Sequence, residues 1–596
     1  MTFTIEFQPR GLRIDYTQPV NGLDAARQAG INLSAVCGGE GICGKCVIQL
    51  LSDAENFEPS EIERNYLSPE KISRGYRLAC QTTLDSNVKI YIPAESIIED
   101  QILQIEGGDS SHINHPAVHK RELKLKEAQL NDLNSDFSRI KAALKDEDVT
   151  AGLDTLREIP NILRKNDWKV NVWIRREEIF YASSTCNNNL VGLAVDIGST
   201  KIACYLLDLA SGRTLTAKGT PNPQIAYGED IMTRLGYAMQ GSAQADTLFH
   251  LTIDAINQTT EEMCERLDIS PDEIADGCFV GNTAMHHFFL NLPIGSLAVS
   301  PFVPVTTDPI YSSARALGIT AMPGAAVYAP PVTAGFVGSD HLAFLLAARF
   351  GEDQRVRLGI DIGTNTEIAL QAGGRIVCVS TASGPAFEGA HIKHGMRAAP
   401  GAIEHVQINK NGNVEIQVIG SQPPIGICGS GILDAVAQMR EQNILNHRGR
   451  MNKTAPGVQL TADGKPEMLL SASKKSITLS QNDVDQILLA KGAIRAGIDI
   501  LLDYLKVDAS EIDEIIIAGA FGSYMLPQHA IGIGMLPRVP LDRIQTIGNA
   551  AGTGARMMLA STLSRIRAEE LADQIEYLEL TVYPDFDLFY ARGIQA

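Results

Sequence analysis

Residues 189–212 read NLVGLAVDIGSTKIACYLLDLASG, and residues 358–380 read LGIDIGTNTEIALQAGGRIVCVS. Each stretch has two apolar runs of strand length around a short glycine turn, which predicts a β-hairpin. In both stretches an Asp ends the first strand and is followed by Ile-Gly and then by hydroxyl or amide residues. The same pattern occurring twice predicts an α/β fold made of two related lobes.

The two turns carry the residue types that a phosphate site requires. They are Asp196, Gly198, Ser199 and Thr200 in the first turn, and Asp361, Gly363, Thr364 and Asn365 in the second. Glycine lets backbone N–H groups approach phosphate oxygens, and the hydroxyl and amide side chains can donate to them. The carboxylates suit Mg²⁺ or the water molecules around it. One such turn is a weak signal, whereas the pair predicts nucleotide binding.

Two further glycine-containing segments fit a nucleotide site. In EIIIAGAFGSYM (514–525) a buried strand runs into Gly519, Ala520 and Phe521, which suits a flat base or ribose pressed against the backbone. In GICGSGILDAVAQM (426–439) Gly429 and Ser430 open a helix, where an anion can bind or chains can pack closely.

Four cysteines near the N-terminus predict an iron–sulfur centre. Cys37, Cys43 and Cys46 have the spacing Cys-x5-Cys-x2-Cys in a glycine-rich loop, and Cys80 follows in RLACQT. Four thiolates are the usual ligands of a 2Fe–2S cluster, and a loop around it needs glycines for positive φ and close approach to sulfur. A zinc site is the alternative, but zinc usually takes its thiolates from two short Cys pairs, and only one is present.

The length and composition of the chain indicate how many domains it has and which partners are excluded. The chain has 596 residues, 44% hydrophobic and 20% charged, and a formal net charge of −19. This length predicts about three to five domains, and the acidic balance argues against nucleic acid or an anionic membrane as a partner. We expect no secretory leader and no membrane span. Ten cysteines without export signals indicate a reducing compartment, the cytoplasm.

The N-terminal stretch resembles the 2Fe–2S ferredoxins, and the C-terminal half resembles the acetate and sugar kinase, Hsp70 and actin superfamily. Within that superfamily the chain is most similar to the ATP-dependent reductive activators of corrinoid proteins. The phrases that carry the resemblance include GNTAMHHFF (281–289), DIGTNTE (361–367), GPAFEGAHIKHGMRAAPGAIE (384–404), AGAFGSY (518–524) and GNAAGTGA (548–555).

The resemblance implies a multidomain α/β architecture with four segments. They are a β-grasp-like 2Fe–2S ferredoxin domain at 1–95, a linker at 96–116, a small α+β middle domain at 117–188 and an actin/Hsp70-like ATP-binding domain at 189–596, with lobes at about 189–356 and 357–596. The polar stretch GGDSSHINHP within the linker would let the ferredoxin domain swing toward a partner.

The resemblance also implies an activity and its participants. The protein would return inactive Co(II) to Co(I) in the corrinoid protein of a methyltransferase system, with electrons from an external low-potential donor passing through one 2Fe–2S cluster. ATP and Mg²⁺ would be required, and a homodimer is expected.

Residue roles follow from the same resemblance. Cys37, Cys43, Cys46 and Cys80 would ligate the cluster, and Asp196 and Asp361 would position Mg²⁺ and water. Glu367 is a second polar group for the γ-phosphate region. Lys491 either reaches the base or ribose or is an ordinary surface lysine. The loop at 383–396 is a candidate for partner contact.

Three other functions stay open. An electron injector for a dehydratase or benzoyl-CoA-type reductase shares the nucleotide fold, but holds a 4Fe–4S cluster between two subunits. A metabolite kinase with a redox module would need a catalytic base and an acceptor pocket, neither of which is identifiable. A plain electron carrier is disfavoured by the intact Asp and Gly turns. His391 and His394 are too few for a metal site, and adjacent His286 and His287 are interpreted as structural.

Overall fold

The structure is a computed structural model. It describes residues 2–8, 11–29, 31, 33, 41, 44, 46–52, 54–93, 114–184, 189–228, 230–363, 365–389, 391–396, 398–472, 476–519, 521–522 and 524–595. The chain divides into two compact units: the first unit contains 1–109, 350–550 and 575–596, and the second contains 110–349 and 551–574. Within the described ranges, no helix has the length and apolar character needed to cross a bilayer.

The first unit begins with a small β-rich domain. Its elements are β1 (Phe3–Gln8), β2 (Leu12–Tyr16), β3 (Val20–Asn21), α1 (Gly22–Gln28), β4 (Val47–Leu50), α2 (Glu61–Tyr66), α3 (Pro69–Ser73), β5 (Tyr76–Leu78), β6 (Thr83–Leu84) and β7 (Val88–Tyr91). The main sheet has the order β2-β1-β7-β4-β5. Alternate residues Phe3, Ile5 and Phe7 of β1 are buried, as the alternation in sequence predicts.

The rest of the first unit is the C-terminal lobe. Its elements are β18 (Arg357–Ile362), β19 (Thr366–Ala372), β20 (Arg375–Thr381), β21 (Ala402–Ile408), β22 (Val414–Val418), β23 (Gly426–Ile427), α11 (Gly429–Glu441), β24 (Val458–Leu460), β25 (Pro466–Ser471), β26 (Ile477–Ser480), α12 (Gln481–Leu505), β27 (Glu514–Ala518), α13 (Pro527–Gly532), β28 (Ile544–Thr546), β29 (Ile575–Tyr577) and α16 (Phe586–Ile594). Two three-stranded sheets, β22-β21-β23 and β24-β25-β26, accompany a central six-stranded sheet.

The second unit starts with a small helix-and-strand domain. Its elements are β8 (Val118–Lys124), α4 (Asp136–Leu144), β9 (Thr150–Ala151), α5 (Leu153–Lys165), β10 (Lys169–Arg175) and β11 (Glu178–Ser183). The strands form one sheet in the order β8-β10-β11-β9.

A second lobe completes this unit. It contains β12 (Val191–Ile197), β13 (Lys201–Asp208), β14 (Thr214–Pro221), α6 (Ile231–Ala238), α7 (Ser242–Leu267), β15 (Ile274–Gly281), α8 (Thr283–Phe289), β16 (Ile310–Ser313), α9 (Ala314–Leu317), β17 (Ala326–Ala329) and α10 (Ser339–Ala347), with α14 (Ala550–Ala560) and α15 (Thr562–Ala572) from later in the chain.

The two six-stranded sheets share one topology over five strands, β14-β13-β12-β15-β17 in one and β20-β19-β18-β27-β28 in the other. Their orders are β14-β13-β12-β15-β17-β16 and β28-β27-β18-β19-β20-β29. In each, the first two strands of the lobe form an antiparallel hairpin, and the first strand also pairs in parallel with a strand that follows a helix. This equivalence confirms the duplication that the two quoted stretches predict.

The N-terminal domain packs on the C-terminal lobe within the first unit. The Thr546 hydroxyl donates a hydrogen bond to Gln8, and a Cβ added at Gly11, whose φ is +65°, would lie 2.0 Å from the Thr546 carbonyl oxygen. The Tyr91 hydroxyl lies 3.1 Å from Nε2 of His405. The domain is therefore docked in this structure; residues 96–113 of the predicted linker lie outside the described residues.

A buried ion pair in the second unit offers a test of this fold. Arg565 on α15 donates to Asp276 on β15, whose side chain is fully buried and has no other hydrogen-bond partner among the described residues. Arg565→Met leaves a buried carboxylate without its cation, and we expect it to lower the free energy of unfolding by about 3–5 kcal/mol. Urea unfolding followed by circular dichroism measures the change.

The matched control is Arg157→Met, because Arg157 pairs with Asp154 on the exposed face of α5 and such pairs contribute about 0–1 kcal/mol. Equal urea midpoints for the two variants would contradict the proposed importance of the buried pair.

Candidate cluster and nucleotide sites

Two of the four predicted cluster cysteines lie in the described part of the chain. Cys46 immediately precedes β4, and Cys80 follows β5, the neighbouring strand. The Ala79 N–H donates to the Cys46 carbonyl over 2.8 Å, so the backbones that carry the two cysteines are bonded to each other. Cys37 and Cys43 lie outside the described residues.

The surroundings of these cysteines suit a sulfur-bound group. Gly41 and Gly44 have φ of +76° and +64°, which confirms the predicted need for glycine in this loop. A Cβ on Gly41 would lie 2.7 Å from Nε2 of Gln81, and one on Gly44 would lie 2.6 Å from the Tyr66 ring. Gln81 also points an amide N–H at Cys80 Sγ, 3.6 Å away. Cysteine thiolates hold 2Fe–2S clusters, and hydrogen bonds to the sulfur atoms tune their reduction potential.

The first phosphate turn joins β12 to β13 in the second unit. Asp196 is the penultimate residue of β12 and pairs with Ala203, while Gly198, Ser199 and Thr200 form the half-buried turn. A Cβ on Gly198 would lie 2.6 Å from the Lys201 carbonyl oxygen, so this turn is too tight for a side chain there.

Asn222 supports this turn and was missed by sequence reasoning. Its side-chain amide donates to the Gly198 carbonyl over 2.9 Å, and its own N–H donates to the Thr200 carbonyl over 2.9 Å. The Asn-Pro pair after β14 is the local signal that could have identified it.

The second phosphate turn joins β18 to β19 in the first unit. Asp361 and Glu367 are directly paired across the two strands, and side chains of such a pair lie on one face of a sheet about 5 Å apart at Cβ. The structure therefore brings these two predicted carboxylates together. Glu367 also accepts a hydrogen bond from Ser380. The Gly363 N–H donates to the Asn365 carbonyl, and Thr364 lies outside the described residues.

Gly519 brings the predicted adenosine turn against the second phosphate turn. Parallel pairing aligns Ala518 with Asp361, and Gly519 has φ of +89°. A Cβ on Gly519 would lie 2.3 Å from the Ile362 carbonyl oxygen and 2.9 Å from Oδ1 of Asp361. Only glycine allows this approach of the two backbones. Ala520 lies outside the described residues.

Phe521 continues this turn into an aromatic contact. Its ring stacks on Phe387 with centroids 4.6 Å apart and planes 23° apart. A Cβ on Gly429 would lie 1.9 Å from the Phe387 carbonyl oxygen and 2.9 Å from the Phe521 ring, so the start of α11 packs directly on this pair. Ser430 is buried, and its hydroxyl donates to the Glu404 carbonyl over 3.0 Å. Phe387 has no sequence signal beyond its glycine-rich neighbourhood.

Lys491 is buried in the C-terminal lobe. It is on α12, as predicted, but only 1% of it is exposed, so the surface-lysine alternative is wrong. Its ammonium donates to the Gln595 carbonyl. Burial, together with Arg440 and Arg495, lowers its pKa to about 7.

His287, Cys204 and Cys278 behave as structural residues. The two ring nitrogens of His287 bond to the Thr283 carbonyl and the Val305 N–H, as its structural interpretation requires. Over the described residues no group of three or more His, Cys, Asp or Glu side chains is arranged to hold a metal. Burial raises the pKa of the Cys204 and Cys278 thiols to about 12, so both are inert near neutrality. Cys186 lies outside the described residues.

Residues 5–85 match the family described as the 2Fe-2S iron-sulfur cluster binding domain. Residues 108–184 and 191–353 match the RACo linker and RACo middle regions, and residues 355–595 match the C-terminal domain of RACo, the ASKHA domain. Fold and site thus define an iron–sulfur protein with an ATP-binding ASKHA domain.

The chain is similar to proteins of this class over nearly its whole length. Corrinoid activation enzyme RamQ of Eubacterium limosum is 30% identical over 595 residues, covering 96% of this chain and 95% of RamQ. A solved structure described as the reductive activator for corrinoid,iron-sulfur protein is 31% identical, with a TM-score of 0.74, and covers 99% of this chain and 97% of that chain.

A more distant relative is the [Co(II) methylated amine-specific corrinoid protein] reductase of Methanosarcina barkeri, 24% identical over 67% of this chain and 76% of that protein. The chain belongs to the family of reductive activators of corrinoid proteins, which confirms the resemblance seen in its motifs.

Cys46→Ser tests the cluster site. We expect it to lower the iron and sulfide content of the protein and its visible absorption, because a thiolate ligand is lost, while ATP binding is kept. Cys264→Ala is the matched control, since burial raises the pKa of that thiol to about 11. Unchanged iron in Cys46→Ser, or zinc in place of iron in the unaltered protein, would contradict the assignment.

Gly519→Ala tests the close approach at Asp361. We expect affinity for a non-hydrolysable ATP analogue to fall about tenfold or more, because the added Cβ must push the turn away from Ile362 and Asp361. Gly532→Ala on α13 is the control, since among the described residues outside its own helix backbone and chain neighbours no heavy atom lies within 4 Å of the added Cβ. Calorimetry measures both, and equal affinities would refute the constraint.

Proposed function

We propose that this protein reactivates a corrinoid protein of a methyltransferase system by reducing inactive Co(II) to Co(I). Electrons reach the cobalt by way of a 2Fe–2S cluster, and the reduction depends on ATP. One chain contains both Cys46 and Cys80, held close by the hydrogen bond from the Ala79 N–H to the Cys46 carbonyl, and two equivalent turns predicted to bind phosphate. This combination is the main support for the proposal. The names of the full-length relatives support it.

ATP is needed for a thermodynamic reason. Plant-type 2Fe–2S centres have potentials near −400 mV, and the Co(II)/Co(I) couple of a corrinoid is expected to lie lower. For one electron, each step of about 59 mV uphill costs about tenfold in the equilibrium constant. ATP can overcome this only by stabilising one conformation or complex over another. We propose that it favours the conformation that binds the Co(II) partner.

The chain's own residues have distinct tasks in this proposal. Cys37, Cys43, Cys46 and Cys80 hold one cluster, which supplies one-electron transfer. Asp196 and Asp361 position Mg²⁺ and its waters, with Glu367 beside Asp361 across the hairpin. Ser199, Thr200, Thr364 and Asn365 donate to phosphate oxygens. Gly519, Ala520 and Phe521 border the adenosine, and Gly429 keeps α11 close to that border.

The proposed reaction also needs an external electron donor and a surface that contacts the corrinoid partner. Because each Co(II) reduction removes one electron, an external low-potential donor must resupply the cluster. We also propose a homodimer, a cytoplasmic location, domain boundaries near residues 95, 116 and 188, and a partner contact through the loop at 383–396. The contacts of Gln8 and Gly11 with Thr546 would have to open for the ferredoxin domain to reach a partner.

Burial of the cysteines in the nucleotide-binding lobes disfavours the dehydratase-activator alternative. Such activators take cluster ligands from this domain, whereas Cys204, Cys278, Cys378 and Cys428 are all buried here. Burial raises the pKa of the Cys378 and Cys428 thiols as well.

Anaerobic visible spectroscopy tests the proposed function. A Co(II) corrinoid protein is mixed with this protein, a low-potential reductant and Mg-ATP, and the Co(I) band is followed. We expect Co(I) only when ATP is present, and loss of most of the rate in Asp361→Asn because the carboxylate that positions Mg²⁺ is removed.

Asp463→Asn, at an exposed carboxylate of the same lobe, is the matched control and should keep the rate. Equal rates without ATP, or in Asp361→Asn, would favour a plain electron carrier. Stoichiometric phosphorylation of a metabolite would favour a kinase.

A further inference from the structure

A group of cationic side chains lies at the opposite end of α11 from the adenosine turn. Gly429, at the start of α11, packs on Phe521, and Arg440 is eleven residues further along the helix. At 1.5 Å per residue this separation is about 16 Å. Arg440 is joined there by Lys491 from α12, since a Cβ on Gly534 would lie within 4.0 Å of the charged groups of both side chains.

The charged groups of Lys491 and Arg440 lie beside the position that a side chain at residue 534 would occupy. A Cβ on Gly534 would lie 3.7 Å from Nζ of Lys491 and 4.0 Å from Nη1 of Arg440. Apart from the residues next to Gly534 in the chain, no other heavy atom of the described residues lies within 4 Å of that position. Gly534 itself is half-exposed and has φ of +76°. The absence of a side chain at Gly534 therefore leaves an accessible space flanked by the basic side chains of Lys491 and Arg440.

Neither cation is neutralised within the described residues. Lys491 has the Gln595 carbonyl as its hydrogen-bond partner, and no described carboxylate lies within 4 Å of Lys491 or Arg440. Arg495, one turn along α12, is paired with Asp499 over 2.9 Å. The exposed Arg538 adds positive charge and, with burial as the larger cause, lowers the pKa of Arg440. The site keeps a clear excess of positive charge.

Burial, with Arg440 and Arg495, lowers the pKa of Lys491 to about 7, and an anion placed beside it would favour its charged form. Arginine binds tetrahedral and planar oxyanions through its fork of N–H groups, and lysine adds a point charge. Two to three positive charges around one small space favour a dianion over a single carboxylate. A phosphoryl group meets these requirements.

We propose that Lys491, Arg440 and Gly534 form a binding site for a phosphoryl dianion, separate from the nucleotide turns. The ligand is either inorganic phosphate or the phosphate of a small phosphomonoester. Bound there, it joins α11, α12 and the segment after α13. Lys491 then serves this site and not the adenosine border.

A purely structural Lys491 is the competing explanation. Close packing of α16 on α12, where a Cβ on Gly593 would lie 2.6 Å from the Gly492 carbonyl oxygen, brings Gln595 to the lysine. If bonding to Gln595 were the only role, Lys491→Met would destabilise the protein equally with and without phosphate.

Calorimetry on the full-length, cluster-loaded protein distinguishes these cases. The nucleotide site is first saturated with a non-hydrolysable ATP analogue, and inorganic phosphate, glycerol 3-phosphate and acetate are then titrated separately. We expect one saturable phosphate site per chain, weakened about tenfold or more in Lys491→Met and in Arg440→Gln through loss of a charged hydrogen bond. Lys410→Met, at an exposed lysine of the same lobe, should leave it unchanged.

Glycerol 3-phosphate binding as well as phosphate would identify a monoester site, and phosphate alone would identify a site for the free ion. Phosphate should also raise the melting temperature of the unaltered protein but not that of Arg440→Gln. Because the Arg440 side chain is only half-buried, this variant tests the site even if Lys491→Met does not fold. The proposal is overturned if no phosphate binds beyond the ATP analogue, if both variants bind it unchanged, or if acetate binds equally well.

Discussion

The parallel pairing of β18 with β27 is the constraint on which the nucleotide half of the first unit depends. It aligns Ala518 with Asp361 and places the next residue, Gly519, where a Cβ would strike both the Ile362 carbonyl and the Asp361 carboxylate. A backbone without a side chain can pass this point, and the turns predicted to bind phosphate and adenosine are thereby held in contact. Phe521, Phe387 and the start of α11 then pack against the same corner.

The N-terminal domain docks close to this corner. Thr546, which bonds to Gln8, ends β28. Two residues later the Gly548 carbonyl accepts the Gly519 N–H over 3.2 Å, and between them the Ile547 N–H donates to the Ile517 carbonyl. A short run of backbone hydrogen bonds thus connects the docking point of the cysteine-bearing domain to the adenosine turn.

Much of the fold and part of the site could be predicted because they depend on local patterns. The glycine turns after apolar strands, the cysteine spacing and the glycines of the cysteine loop are short-range features, and each indicated its chemistry directly. Asn222 and Phe387 were missed because their contacts are with Gly198, Phe521 and Gly429, which lie far away in sequence. Periodicity placed Lys491 on a helix, but could not show which neighbours cover it.

The sequence by itself therefore determined the family, the duplicated lobes and the residue types for a cluster and a nucleotide. Only the tertiary structure decided that Ser430 bonds internally to Glu404, that the N-terminal domain packs at Thr546, and that Lys491 and Arg440 face one open position above Gly534. The reason is physical: backbone geometry and ligand chemistry are encoded in neighbouring residues, whereas burial and charge compensation depend on segments that meet only when the chain folds.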